Sequence, residues 1–85
     1  MFLHIGSDVM VAGKEIIAIL NMETIRKGEA TWEFLSIAEG ERRVEAVVPK
    51  NKAKSVVITD RKVYFSPISS NTLRNRSIAF WMEEA

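Results

Sequence analysis

Lys50, Lys52 and Lys54 recur at every second position of "VVPKNKAKSVVITD" (47–60). Three ammonium groups at that spacing suit the neutralisation of a polyanion. In an extended backbone alternate side chains share a face, about 6.5–7 Å apart along the strand. The lysines then form a short cationic row, with Asn51 and Ala53 turned away. Each phosphate that such a row neutralises releases counterions. Lysines also keep exposed turns and edge strands soluble, and the row alone leaves both readings open. Arg42 and Arg43 precede the strand that leads into this loop, and Arg61 and Lys62 sit at the following turn. In an antiparallel meander neighbouring turns alternate between ends of the sheet, so the 60–61 turn is expected to face away from the 49–53 loop. The candidate patch is Lys50, Lys52 and Lys54, joined by Arg43.

Catalytic chemistry has little to work with. His4, the single histidine, falls within a predicted strand, where an imidazole satisfied by a neighbour is expected. With one histidine and no cysteine the chain lacks the nitrogen and sulfur donors of a zinc site. Asp8, Glu15, Glu23 and Asp60 show no spacing of a hydrolytic pair or a magnesium site. The four glycines are scattered, one per turn, and build no phosphate loop. The expectation is a binding protein with no cofactor, no metal and no small-molecule substrate.

These residues need elements to hold them. "FLHI" (2–5) reads as a first strand ended by Gly6-Ser7-Asp8, "VMVAG" (9–13) as a partner, and "EIIAIL" (15–20) as a buried strand closed by Asn21. Residues 29–39 carry a helical period, with Ala30, Phe34, Ile37 and Ala38 on one side, widened by Trp32 and Leu35. Glu29 suits the first turn, Gly28 precedes it, and Gly40 is the expected stop. Strands follow at 43–48, 54–59 and 62–66, the last two joined by Asp60-Arg61 at hairpin length though without glycine. "SSNTLRNR" (69–76) reads as a short helix capped by Ser69 or Ser70, with Arg74 and Arg76 on different faces. Tyr64 and Phe65 point to opposite sides of their strand, so at most one can stack on a base, and core packing is the commoner use. The predicted fold is α+β: a small, mostly antiparallel sheet of about six short strands, covered by one amphipathic helix, plus a short C-terminal helix.

The 85 residues make one domain, 1–85, with one modest core. A chain of this size buries only about 60–65% of its unfolded surface and gains from self-association. The apolar "IAFWM" (78–82) either returns to the core or covers a second subunit. Residues 1–41 hold three basic groups against seven acidic ones, whereas 42–76 hold nine against two. A local field of that kind, rather than the net charge of +1, is what attracts a polyanion. The absence of cysteine, of a signal-like leader and of a membrane-length apolar run leads to an expected cytoplasmic location.

"FLHIGSDVMV", "IIAIL", the helix ending "AEG" and above all "KSVVITDRKVYFSPISSNTLRNR" resemble the Rem family of bacterial extracellular-matrix (biofilm) regulators, nearer its RemB than its RemA branch. The likeness covers roughly 1–76 and leaves 77–85 as a tail. It implies a DNA-binding transcriptional regulator that works as a homo-oligomer on double-stranded DNA, with ring-like assemblies in the RemA branch whose successive subunits repeat the basic residues. The arginine-rich loop of the RemA branch falls on "KNKAK" (50–54): Lys52 and Lys54 stand on arginine positions, Asn51 departs from one, and Lys50 adds a charge one residue earlier. A further basic position falls on Glu15, with Lys14 beside it. Lysine keeps the charge but lacks the planar fork that reads guanine edges, which favours contact with the DNA backbone. With Arg43 from the candidate patch, the expected DNA-binding set is Lys50, Lys52, Lys54, Arg43, Asn51 and Lys14. The alternative of another class is an oligomeric protein–protein adaptor that does not touch DNA.

Overall fold

The computed structural model describes residues 2–84, with side chains described for 2–28 and 32–77. The fold is α+β. Strands β1 (Phe2–His4) and β2 (Met10–Ala12) form a two-stranded antiparallel sheet. Strands β3 (Ile16–Asn21), β4 (Val44–Ala46), β5 (Ser55–Thr59) and β6 (Val63–Ser66) form a second sheet in the order β3-β5-β6-β4. Helices α1 (Met22–Lys27) and α2 (Glu29–Gly40) lie between β3 and β4, and α3 (Ser70–Glu84) follows β6. The strands therefore divide between two sheets. One pair, β4 with β6, is parallel, because the β5–β6 hairpin folds β6 in between β5 and β4.

Period-2 alternation sorts the larger sheet into two faces. Val56, Val63 and Phe65 pack with Met22 and Ile25 of α1 and Leu35 and Ala38 of α2. Val57 turns the other way, to Leu3, Ile5 and Val11 of the β1–β2 region and Leu73 of α3, with Tyr64 packed alongside. The sheet is thus the middle of three layers. Phe65 and Tyr64 do occupy opposite faces, and both pack in the core.

Helix α1 is an element that the sequence reading did not separate. Asn21 ends β3 and also caps α1, its Oδ1 accepting from the Glu23 amide at 2.8 Å. Met22 and Ile25, one turn apart, then reach the core. Because α1 covers part of the sheet, α2 docks through Leu35 and Ala38, with Trp32 half-buried. Phe34 and Ile37, expected inside, stand at 37% and 61% exposure. Full burial of a leucine such as Leu35 is worth about 1.5–3 kcal/mol, so one chain leaves comparable apolar surface on α2 unused. Gly40 is not the stop. It completes the last turn, and Arg42 takes the left-handed conformation (φ 60°) that ends the helix.

The β1–β2 loop is a run of left-handed residues, with φ of 113° at Gly6, 44° at Ser7 and 63° at Asp8. A Cβ at Gly6 would meet Pro67 Cδ and Cγ at 3.0 Å. Close by, the buried Ser66 hydroxyl donates to the Ile5 carbonyl at 2.8 Å and ties the small sheet to β6. The Asp60-Arg61 hairpin forms without glycine because Thr59 organises it. Its Oγ1 donates to the Lys62 carbonyl and accepts from the Lys62 amide, both at 2.9 Å.

Helix α3 begins where expected, with the Ser69 hydroxyl accepting from the Thr72 amide at 3.2 Å, but continues to Glu84. The roles expected of the Glu29 and Ala30 side chains and of the apolar 78–82 stretch lie outside the described side chains.

Candidate nucleic-acid interface

The row of three lysines does not form as expected, because its backbone is not extended. Pro49 leads into one turn of 3-10 helix over Lys50–Lys52, closed by the Lys52 amide donating to the Pro49 carbonyl at 2.9 Å. The turn directs Lys50 away from its neighbours. Its Nζ donates to Glu39 Oε1 at 2.9 Å and lies 4.4 Å from the centroid of the Trp32 ring. Lys50 is therefore engaged with α2.

Lys52 and Lys54 do share an outward side. They flank Ala53, which is extended and 5% exposed, and neither lysine forms an ion pair among the described residues. Lys54 is fixed through its backbone. Its amide donates to the Ser66 carbonyl at 2.8 Å, and its carbonyl accepts from the Met22 amide at 3.1 Å. It therefore stands at the end of the large sheet where β5 begins, β6 finishes and α1 starts.

Arg43 and Lys14 stand at the other end, about 15 Å away along a five-residue strand. The Val63 amide donates to the Arg43 carbonyl at 2.9 Å, and Arg43 Nε donates to the Arg61 carbonyl at 3.3 Å. The Arg43 guanidinium also lies 3.9 Å from Glu41. Lys14 and Glu15 occupy a 3-10 turn just before Ile16, which pairs with Thr59. The 49–53 loop and the 60–61 turn do face opposite ways. For that reason Arg43 does not join Lys52 and Lys54. Lys62 is paired as well, 3.5 Å from Glu45.

Other residues do join them. A cleft of about 830 Å³ is lined by Asn51, Lys52 and Lys54 from the loop, Glu23 and Arg26 from α1, and Ser69, Ser70, Asn71 and Arg74 from the start of α3. Asn51, expected to turn away, is part of its wall. Four cations thus face one carboxylate across the cleft. Arg74 also donates through Nη2 to the Ile19 carbonyl at 2.9 Å, on β3, one of the two edge strands of the sheet. Arg76 diverges from it, donating to the His4 carbonyl at 3.1 Å. Neither arginine serves the C-terminal dipole of its helix, since α3 runs on past both.

Arg26 and Arg74 lie outside the expected set for two reasons. The "NMETIRKG" segment (21–28) was not read as a helix, although an asparagine cap, apolar residues at 22 and 25 and a closing glycine spell one. Spacing along α3 relates Arg74 only to Arg76 and is silent on the β3 edge and the 49–53 loop that it meets. His4 differs from expectation too: it stands exposed on β1, and its ring makes no hydrogen bond among the described residues.

Comparison with known proteins agrees with this arrangement of motifs. The chain matches a family model described as extracellular matrix regulatory protein A-like over residues 2–77. It is 32% identical over 79 residues to extracellular matrix regulatory protein B of Bacillus subtilis (strain 168), an alignment covering 91% of this chain and 90% of that protein. The match spans both sheets, α1, α2 and the first half of α3, and the chain belongs to the RemA-like family of extracellular matrix regulatory proteins.

Proposed function

We propose that this chain is a non-enzymatic transcriptional regulator of extracellular-matrix (biofilm) genes that binds double-stranded DNA as a homo-oligomer. Matrix regulation follows the name of its relative and the description of its family. The observation that carries the DNA reading is the pair Lys52 and Lys54, exposed on either side of a buried alanine and without a carboxylate partner among the described residues. Two lysines on one subunit hold a duplex weakly. Repetition around a closed oligomer multiplies them through effective concentration. Lysine in place of arginine directs the contact to phosphates rather than to guanine edges.

Exposed apolar residues support the oligomer. Phe2 and Met10, 59% and 52% exposed, belong to the β1–β2 layer, whereas Phe34 and Ile37 lie on α2 in the opposite layer. Two unlike patches suit a head-to-tail interface, which closes into a ring when the rotation permits. The same patches favour the second reading, an adaptor that binds another protein and no DNA. A duplex-binding regulator works where the chromosome is, which makes the cytoplasm the proposed location. No helix of the described residues is long and apolar enough to cross a membrane.

Gel retardation of duplex DNA by the Lys52→Ala/Lys54→Ala double variant tests the reading. Retardation is expected to be lost while the native mass stays that of the unaltered protein. For the unaltered protein, two phosphate contacts per engaged subunit contribute about −1.8 to the slope of log affinity against log salt. Retardation by the double variant at equal affinity overturns the proposal. A protein partner retained after nuclease treatment, with no DNA retardation, selects the adaptor.

A further inference from the structure

Helix α3 reaches an outer strand edge of each sheet. Strand β3 has a neighbour, β5, on one side only. The Met22 amide donates to the Lys54 carbonyl at 3.1 Å, and the register sets Leu20 opposite Val56 and Ile19 opposite Val57. Peptide groups alternate in direction along an antiparallel strand. Positions 18 and 20 therefore bond to β5, while the amide and carbonyl of Ile19 point to the free edge. The Thr59 amide, which donates to the Lys62 carbonyl, gives β5 the same parity, with its odd positions turned to β6. Arg74 Nη2 takes the outward Ile19 carbonyl. Strand β1 repeats the arrangement. The Ile5 amide donates to the Val9 carbonyl at 3.0 Å, which leaves His4, opposite Met10, facing outward, and Arg76 Nη1 takes the His4 carbonyl. The two arginines diverge because each meets a different strand edge.

An open edge is a template for a further strand, and proteins close such edges with charges, bulges and covering helices. Strand β3 carries no charged residue over its six positions and leaves Ile17 67% exposed. Its register shifts between Ile16 and Ala18, which places Ile17 in a bulge, and α1 starts directly after Asn21. The regular part of the edge is thus Ala18 to Asn21, and Arg74 occupies the outward carbonyl within it. We infer that Arg74 is a guard that keeps strand β3 of a second copy from adding antiparallel to this edge. A second copy fits because two uncharged strands of the same sequence do not repel, and a two-fold axis at Ile19 brings the outward amide of each Ile19 to the carbonyl of the other. With the guard in place that carbonyl is taken, and the two Arg74 guanidinium groups meet as like charges near the axis. The guarded edge is separate from the patches of Phe2, Met10, Phe34 and Ile37, so the inference does not rest on the assembly proposed above.

Light scattering over a range of concentrations, with amide hydrogen exchange on the full chain, tests the guard. Arg74 is exposed on a helix that favours alanine, so Arg74→Ala is expected to keep its cooperative unfolding transition. With rising concentration it should associate to about twice the native mass of the unaltered protein, and exchange at the Ile19 amide should slow as the new pairing forms. Ile17→Lys, added to Arg74→Ala, puts a lysine on the exposed strand and should return the variant to the unaltered mass. If Arg74→Ala loses its unfolding transition, Arg74→Met, which keeps the aliphatic stem and removes the donors, takes its place with the same expected outcomes. Native mass unchanged in the folded variant overturns the inference. So does a gain in mass that Ile17→Lys does not reverse, or one that leaves exchange at Ile19 as fast as before.

Discussion

The Lys50 ammonium donates to the Glu39 carboxylate at 2.9 Å and lies 4.4 Å from the centroid of the Trp32 ring. This contact separates Lys50, two residues before Lys52, from the surface that Lys52 shares with Lys54. It joins the loop before β5 to two residues of α2, about two turns apart. An exposed ion pair is worth about 0.2–1 kcal/mol, and a cation over an indole at an exposed site about 0.5–1 kcal/mol.

Lys50→Ala is therefore expected to act on stability and not on DNA. Urea unfolding should show a loss of about 1 kcal/mol, with DNA affinity changed by no more than about twofold. A drop in affinity equal to that of Lys52→Ala would show that Lys50 leaves Glu39 to meet the duplex.

Gly6→Ala tests the left-handed loop. The new methyl meets Pro67 at 3.0 Å on a backbone with φ of 113°, and both terms oppose it. The expected loss is about 1–3 kcal/mol, read as a lower midpoint of unfolding at an unchanged slope.

Thr59→Val probes the hairpin. Valine keeps the branched shape and the burial, and removes only the hydroxyl that bridges the Lys62 amide and carbonyl. Leaving that turn without its side-chain partner should cost about 1–3 kcal/mol. If unfolding is unaltered, the two-residue link is held by backbone bonds alone.

The two exposed apolar patches yield a prediction for assembly. If the proposed oligomer forms head to tail through these patches, Met10→Glu and Ile37→Glu are each expected to give monomers, because each would block one half of the contact. Mixed together, the two variants retain one intact pair of surfaces and should form dimers, which light scattering can weigh. If Met10→Glu alone keeps the unaltered protein's native mass, the hairpin patch is not an interface.

Local pattern carried much of the fold. The alternation in 54–59 and 62–66, the two-residue link between them and the Ser69 cap all appear where the chain places them, because each depends on residues a few positions apart. Helix α1 was legible by the same rules and was read through, since its apolar pair is short and follows a strand without a break. The buried stripe of α2 departs from the expected one for a different reason. Periodicity shows which residues share a side of a helix, but Phe34 and Leu35 both border that side, and the decision fell to α1, which already occupied part of the sheet.

The candidate site divides along the same line. The sequence by itself determined the α+β class, the hairpin, the basic character of 42–76 and the family, because composition, period 2 and short motifs are local properties. Only the tertiary structure decided that Lys50 turns to Glu39, that Arg43 lies at the far end of the sheet, and that Arg26 and Arg74 come to the cleft beside Lys54. Those outcomes depend on β6 inserting between β5 and β4 and on the α1 and α3 termini meeting at one end of the sheet. Contacts of that kind join residues 11 or more positions apart and on different elements, and spacing along the chain does not encode them.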